Sequence, residues 1–348
     1  MKVSADKNVY IVFTEYQLLQ ALNICTGKFN SEQFLNIVYI IRQGKRMKGI
    51  DKGNDYNTNN IIFKFIDQEI AKNIVDLLIK EQPHHFFMFQ DTTPLNIFLG
   101  HKMASIGAEV SLGPDGYGSY ENLQKRFEFL SRVRTTLLNT KYLIKNKLFT
   151  GKVDFYNYTY ARHRFIDNVW VTHPAEFVHR GKNKVKIEQL PELNAECLNL
   201  IKKLFNFSTV FPTNDSIYFF NQPVWNTLLD VEYNFLVNVI EQFPDNKVVL
   251  KLHPLTSQDM RDRYKSLEKL EILDGDFPAE ILISSLRNCI LYSGWSTVLI
   301  TENKSCNYYF NYPVFKKTEH PIMKQINIHP LKHISMVASP NEMKFPNY

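Results

Sequence analysis

Lys-Val-Val-Leu-Lys-Leu-His-Pro, residues 247–254, is the stretch around which the rest of the chain can be ordered. Residues 247–252 form a short apolar run rich in β-branched side chains, which predicts a buried strand. Pro254 cannot donate a hydrogen bond to a sheet, and it favours an extended conformation for His253. In open α/β sheets, ligands bind at the carboxyl ends of the strands. The stretch therefore predicts a histidine at a ligand-binding edge.

Two more features follow this strand. Glu280 opens an apolar helical stretch after Pro278, close to the positive end of the helix dipole. Residues 289–292 predict another strand, after which Ser296 and Thr297 begin a new helix whose hydroxyls and free amides suit an anion. Singly, such residues are ordinary helix caps. Because they lie at successive strand ends of one α/β unit, together they predict a nucleotide pocket. His253 and the Ser296–Thr297 turn would bind a phosphate, and Glu280 would bind a ribose.

The first half of the chain alternates apolar strands with helical segments. This alternation predicts a parallel, doubly wound sheet, and therefore a Rossmann-like domain. The lysine-rich segment 181–188 is typical of a linker. We therefore predict a first domain over 1–180, a second domain over 181–315 and a tail over 316–348 that packs back on the first domain.

Composition restricts the environment of the protein. Of the 348 residues, 44% are hydrophobic and 22% are charged, a composition typical of a globular protein. The net charge is +6. Four scattered cysteines, without metal-ligand spacing, indicate reduced thiols. No zinc-finger or RNP pattern supports nucleic acid as a partner. No signal peptide or membrane span is predicted, so we expect a cytoplasmic protein.

The segment 121–149 is basic, aromatic and apolar. One interpretation is one or two helices that pack on the first domain and have a solvated charged face. The other is a basic amphipathic surface that attaches the protein peripherally to the inner face of the membrane. The sequence is compatible with an oligomer.

The motifs together resemble those of the bacterial sialyltransferases of GT-B architecture, glycosyltransferase families 52, 38 and 80. The matching residues are Asp115-Gly116, Lys251-Leu252-His253-Pro254 and Ser296-Thr297, with Glu280 in the ribose-binding position. The opening Phe13–Leu19 also resembles family 52. The resemblance implies an α/β fold of GT-B type, with two Rossmann-like domains that face each other across a cleft.

The resemblance also implies a function and a set of site residues. The expected activity is an inverting, metal-independent transfer of sialic acid, or a related nonulosonic acid, from its CMP donor. The acceptor would be a terminal sugar hydroxyl of a lipooligosaccharide or capsular glycan, and no cofactor is expected. The catalytic residues would be Asp115 as base and His253 as the group that donates to the phosphate. The CMP-binding residues would be Lys251, Pro254, Glu280, Ser293, Gly294, Ser296 and Thr297, and the acceptor-side residues Thr14, Gln17 and Gly116.

One departure from the family pattern leaves alternatives open. The related families carry two carboxylates before the glycine, with the first as base, and here Pro114 stands in that position. Asp115 would then take the role, or Asp230 or Glu121 would, or the chain would be a catalytically inactive module that binds nucleotide or glycan. A CDP-glycerol-type glycerophosphotransferase is a further alternative. Asp274-Gly275-Asp276 has the form of a metal motif, but its place at a turn favours a structural role or a sugar-contacting loop.

Overall fold

The protein is described by a computed structural model. It describes the whole chain apart from residues 1–4, 43–46, 48, 68–70, 121–128, 152, 154, 157–159, 209, 223–225, 276, 322, 324–327 and 347–348. The chain forms two compact units, Met1–Phe207 and Ser208–Tyr348. Among the residues examined above, Glu121, Asp276 and the start of the basic segment (121–128) lie outside the described residues.

The first unit is built on a parallel sheet with the strand order β3-β2-β1-β4-β5-β6-β7. Its strands are β1 Asp6–Val12, β2 Phe34–Arg42, β3 Ile61–Asp67, β4 His85–Met88, β5 Glu109–Leu112, β6 Asn168–Val171 and β7 Lys186–Gln189. Its helices are α1 Glu15–Gly27, α2 Ala71–Lys80, α3 Pro94–Ser105, α4 Phe129–Lys145 and α5 Ala195–Leu204.

The second unit is built on another parallel sheet, with the order β10-β9-β8-β11-β12-β13. Its strands are β8 Ile217–Phe220, β9 Val248–Lys251, β10 Leu270–Leu273, β11 Cys289–Ser293, β12 Cys306–Phe310 and β13 Ile334–Met336. Its helices are α6 Leu229–Gln242, α7 Gln258–Lys265, α8 Glu280–Ile283 and α9 Tyr312–Lys316.

Both sheets are explained by the same sequence pattern. The central strands contain runs of apolar residues because both faces of a parallel sheet are usually covered by helices. In β1 the residues Val9–Val12 have no exposed surface, and neither do Ile290–Tyr292 in β11. In each sheet the order reverses beside the first strand, which creates a switch point between β1 and β4 and another between β8 and β11. Ligands bind at such switch points in doubly wound folds.

The division of the chain follows residue 207, whereas the sequence placed it after residue 180. Residues 186–188, predicted as part of a linker, belong to β7, which pairs with β6 at the edge of the first sheet. The following helix α5 packs against α1. In the tail, residues 334–336 form β13 and pair with β12, a role the sequence did not predict.

Among the described residues, no helix combines the length and the apolar character needed to cross a membrane.

Candidate active site

The candidate site in the second unit lies along the carboxyl edge of its sheet. All neighbouring strands there are parallel, so the residues that follow β8, β9, β10 and β11 lie at the same edge. His253 follows β9, and the Ser293–Thr297 turn follows β11. The sequence-predicted donor groups therefore share one edge of one sheet.

His253 is half-buried and held by its own turn. Its Nδ1 accepts a hydrogen bond from the Leu255 backbone N–H at 3.1 Å, and its carbonyl oxygen accepts one from the Thr256 N–H at 2.9 Å. Because Nδ1 acts as an acceptor, the neutral imidazole carries its proton on Nε2. This tautomer carries an N–H donor at Nε2, a group suited to an anionic ligand.

A buried polar network supports this turn from below. The Asn221 Oδ1 accepts hydrogen bonds from the His253 N–H at 3.3 Å and from the Thr256 hydroxyl. The Asn221 amide nitrogen in turn donates to a carboxylate oxygen of Glu232. The Tyr264 hydroxyl donates to the same Glu232 oxygen at 2.7 Å. The carboxyl group therefore orients Asn221, and Asn221 orients the backbone of His253.

Glu232 is almost fully buried, with 1% of its surface exposed. Burial raises the pKa of its carboxyl from 4.5 to about 7, although the hydrogen bonds from Tyr264 and Asn221 act in the opposite direction. The sequence analysis did not identify this residue. The sequence spacing does indicate its burial. Glu232 lies three and four positions before the buried Phe235 and Leu236, and therefore on the same inner face of α6.

The turn after β11 is fixed by its first two residues. The Ser293 hydroxyl is fully buried; it donates to the Phe220 carbonyl oxygen at 2.7 Å and accepts from the Ser296 N–H at 3.2 Å. A Cβ atom on Gly294 would lie 2.5 Å from Nε2 of Gln222 and 3.3 Å from the Phe315 ring. Gly294 is therefore required by the close approach of Gln222, whose Oε1 accepts from the Trp295 N–H.

Ser296 and Thr297 are half-buried at the start of a short 3-10 helix, Thr297–Ile300. The predicted longer helix is therefore a single turn. The Ser296 hydroxyl accepts from the Val298 N–H at 3.4 Å, a long capping contact. Such a weak contact leaves the hydroxyl with hydrogen-bonding capacity for a ligand.

Lys251 and Glu280 are both buried, with 4% and 3% of their surfaces exposed. The Lys251 ammonium donates to the carbonyl oxygens of Leu252 at 2.9 Å and Gly275 at 2.8 Å, and lies 4.3 Å from the centre of the Phe277 ring. These contacts fasten the end of β9 to the loop after β10. Glu280 is the first residue of α8. Pro254 is half-buried beside His253.

Asp274 is engaged by a neighbour, in agreement with a structural role. Its carboxylate accepts from Arg261 at 2.6 Å and from the Gly275 N–H at 3.0 Å. Burial acts to raise the pKa of Asp274, but the hydrogen bond and charge of Arg261 outweigh it, so the pKa is lowered. Asp230, the alternative base in this unit, is exposed and paired with Arg263.

In the first unit, Asp115 follows β5 and is half-buried. Its Oδ1 accepts from the Gln17 amide at 3.1 Å, and its backbone N–H donates to the Ser119 hydroxyl at 3.0 Å. Gln17 is held at its other end, because its Oε1 accepts from the Phe13 N–H at 2.9 Å. Thr14 caps α1 by accepting from the Gln17 N–H. Thr14, Gln17 and Asp115, predicted from distant parts of the sequence, thus form one cluster.

The backbone around Asp115 requires glycine on both sides. A Cβ atom on Gly113 would lie 2.4 Å from the Phe89 ring, and Gly116 has a φ of +78°, in the left-handed region. The Tyr160 hydroxyl donates to the Gly113 carbonyl oxygen. The turn is therefore held rigidly while the Asp115 side chain keeps part of its surface exposed.

A second carboxyl group lies at the same edge, after the adjacent strand β4. Asp91 has 1% of its surface exposed, and burial raises its pKa to about 7, against the opposing charge of Arg162. Its carbonyl oxygen contacts Nε2 of His163 at 3.0 Å. The sequence analysis did not identify Asp91. Asp91 therefore has less exposed surface than Asp115, which is half-buried.

Comparison with known families and structures gives two kinds of match. A family model described as alpha-2,8-polysialyltransferase (POLYST) matches residues 3–315 of this chain. Comparison with curated proteins finds no match.

Two matching structures are sialyltransferases of Photobacterium damselae. One is a crystal structure of residues 113–497, corresponding to the GT-B domain, with 14% identity, a TM-score of 0.53 and coverage of 95% of this chain and 99% of that chain. The other, of a sialyltransferase from Photobacterium damsela, has 16% identity, a TM-score of 0.53 and coverage of 96% and 82%. These matches confirm the GT-B type of fold, with two Rossmann-like domains. With the family match, they confirm the resemblance to bacterial GT-B sialyltransferases and the expectation of a glycosyltransferase.

Proposed function

Because the chain belongs to the alpha-2,8-polysialyltransferase family, we propose that it transfers sialic acid, or a related nonulosonic acid, from a CMP donor to a sugar hydroxyl. The transfer proceeds with inversion and without a metal ion. The observation that carries the proposal is the common location of His253, Glu280 and the Ser293–Thr297 turn at the carboxyl edge of the second sheet. A nucleoside monophosphate offers the phosphate and ribose that these groups suit.

The proposed reaction is a single displacement. The acceptor oxygen forms a bond to the anomeric carbon of the sugar while the bond from that carbon to the CMP phosphate oxygen breaks. The Asp115 carboxylate takes the proton of the acceptor hydroxyl. The Nε2–H of His253 and the hydroxyls of Ser296 and Thr297 donate hydrogen bonds to the departing phosphate, whose negative charge grows in the transition state.

The absence of a metal requirement follows from the leaving group. CMP leaves with one phosphate, so a few hydrogen-bond donors stabilise its charge, whereas a diphosphate leaving group more often needs Mg²⁺ as well. We expect activity to persist after treatment with EDTA. A strict metal requirement would contradict this part of the proposal and direct attention to Asp274.

The acceptor is a terminal sugar of a lipooligosaccharide or capsular glycan. The name of the family favours a sialylated acceptor within this class. A glycan of this kind is carried on a lipid, so the proposal includes a cytoplasmic enzyme that works peripherally at the inner face of the membrane.

The test is CMP release from CMP-sialic acid, measured without an acceptor, with a galactose-terminated acceptor and with a sialic acid-terminated acceptor. Acceptor-dependent release supports the proposal, and the more active acceptor identifies the substrate. Asp115→Asn preserves the shape of the side chain and removes the base, so it should abolish transfer while the CMP affinity is retained. Transfer at the parental rate by this variant would exclude Asp115 as the base. Release of CMP from CDP-glycerol, with none from CMP-sialic acid, would instead indicate a glycerophosphotransferase.

A further inference from the structure

Helix α4, Phe129–Lys145, is packed unusually weakly for its length. Of its seventeen residues, Thr136 alone is buried. In a globular protein, an amphipathic helix normally turns its apolar stripe toward the core. In α4, several large apolar side chains are exposed instead. They include Leu130, Leu137 and Ile144, with exposed fractions of 75%, 66% and 58%.

These three residues form a line on the helix surface. They are spaced by seven positions, which places them on one side of the helix over about 21 Å of its axis. Large apolar side chains that are exposed together on one side of a helix are typical of an interaction site. We name the line Leu130, Leu137 and Ile144 the apolar stripe.

Basic side chains flank the apolar stripe. Arg134 and Lys141 are exposed and lie one helical turn from its members, and the exposed Lys145 directly follows Ile144. Residues 129–153 contain six basic residues and no acidic residue, so this short stretch carries as much positive charge as the net +6 of the whole chain. The surface therefore combines an apolar line with an unbalanced positive charge.

We propose that this face of α4 docks the protein on a membrane surface that contains anionic phospholipids. The apolar stripe would enter the boundary between headgroups and acyl chains, while the ammonium and guanidinium groups contact the phosphates. A protein partner is a poorer match, because protein interfaces are depleted in lysine near their apolar centre. The inference rests on the peripheral membrane location included in the proposed function and assigns it to a named surface, but it does not depend on the transfer reaction.

The experiment measures binding of the full chain to vesicles by co-sedimentation. One set of vesicles contains phosphatidylcholine alone, and the other an equal mixture of phosphatidylcholine and phosphatidylglycerol. We expect strong binding to the anionic vesicles and weak binding to the neutral ones. Added salt should weaken the binding to anionic vesicles, because the charges are exposed and readily screened.

Two variants separate the apolar and the charged contributions. The first replaces the apolar stripe with serine: Leu130→Ser, Leu137→Ser and Ile144→Ser. The second removes the flanking charges: Arg134→Gln, Lys141→Gln and Lys145→Gln. Each basic residue near an anionic surface contributes several-fold to binding, so the charge variant should bind anionic vesicles roughly 10- to 100-fold more weakly. The stripe variant should bind both kinds of vesicle at least about tenfold more weakly.

Matched controls change the same kinds of residue elsewhere on the first unit. The charge control removes three exposed lysines outside α4: Lys72→Gln, Lys80→Gln and Lys202→Gln. The apolar control replaces three exposed apolar residues outside α4: Ile106→Ser, Val178→Ser and Ile187→Ser. Both controls should bind as the parent does. Circular dichroism and thermal melting establish that each variant is folded.

Three outcomes would overturn the inference. The first is parental binding to anionic vesicles by both α4 variants, and the second is an equal loss of binding in the matched controls. The third is self-association of the parent without vesicles that the stripe replacements abolish, because the face would then be an interface between copies of the chain. CMP release with a soluble acceptor is measured in parallel, so a failed transfer reaction can be distinguished from a failed membrane contact.

Discussion

Replacing Glu232 with glutamine tests whether the buried network below His253 depends on a protonated carboxyl group. Glutamine keeps an oxygen that can accept from Asn221 and Tyr264, and it places an N–H donor where the protonated acid has its O–H. The other Glu232 oxygen has no hydrogen-bond partner among the described residues. Glutamine therefore mimics the protonated acid and cannot ionise.

The magnitude follows from the pKa of Glu232. Its value of about 7 in the folded protein exceeds the ordinary 4.5 by about 2.5 units, which corresponds to about 3 kcal/mol at 1.36 kcal/mol per unit. Between pH 4.5 and 7 the folded protein retains a proton that the unfolded chain has released. The free energy of unfolding therefore falls as the pH rises through this window. The glutamine variant has no ionisable group at this position, so this contribution to the fall in the free energy of unfolding is absent.

The assay is urea or thermal unfolding of parent and variant at pH 4.5 and at pH 8. The difference between the two proteins isolates Glu232, because Asp91 also has a pKa near 7 and contributes equally to both. We expect the glutamine variant to gain stability relative to the parent by about 3 kcal/mol between the two pH values. A difference that is the same at both pH values would show that folding does not raise the pKa of Glu232 and would refute the reasoning.

Four further variants test the donor-binding edge. His253→Ala should lower turnover by roughly 10²-fold or more, because one transition-state donor is lost. Stopped-flow or steady-state CMP release measures this turnover, and a near-normal value would contradict the role of His253. Double replacement of Ser296 and Thr297 by alanine, and Glu280→Gln separately, should each weaken CMP binding in calorimetry, whereas unchanged affinity in both would place the pocket elsewhere. Gly294→Ala should destabilise the protein by about 1–3 kcal/mol, because its Cβ would overlap the Gln222 amide; unfolding at parental stability would show that Gln222 moves aside.

The strand ends of the second unit could be predicted because their signals are local. The apolar run before His253 and the glycine-containing turn at Ser293–Thr297 specify strand, turn and polarity within a few residues. Parallel pairing then places both turns at one edge. A sequence motif is sufficient to predict a site where the reactive side chains and the backbone turn that positions them come from the same short segment.

The supporting residues could not be predicted because they act across the fold. Asn221, Glu232 and Tyr264 meet only when α6 and α7 pack against the sheet. In the first unit, Gln17 and Asp115 are 98 residues apart in sequence and in contact in the structure. The boundary after residue 207 was missed for a related reason, because the polar residues of β7 belong to an exposed edge strand and resemble a linker.

The proposed role of Asp115 as the base is consistent with the burial pattern of this turn, despite the proline that precedes it. Pro114 is buried, so a carboxylate at that position would lie in the interior of this turn, whereas Asp115 keeps part of its surface exposed. Asp91 after the neighbouring strand is buried as well. A base must come within hydrogen-bond distance of the acceptor hydroxyl, and of these three positions Asp115 alone combines a carboxylate with exposure. The hydrogen bond from Gln17 then orients this carboxylate, so replacing Gln17 should lower turnover more than it lowers CMP affinity.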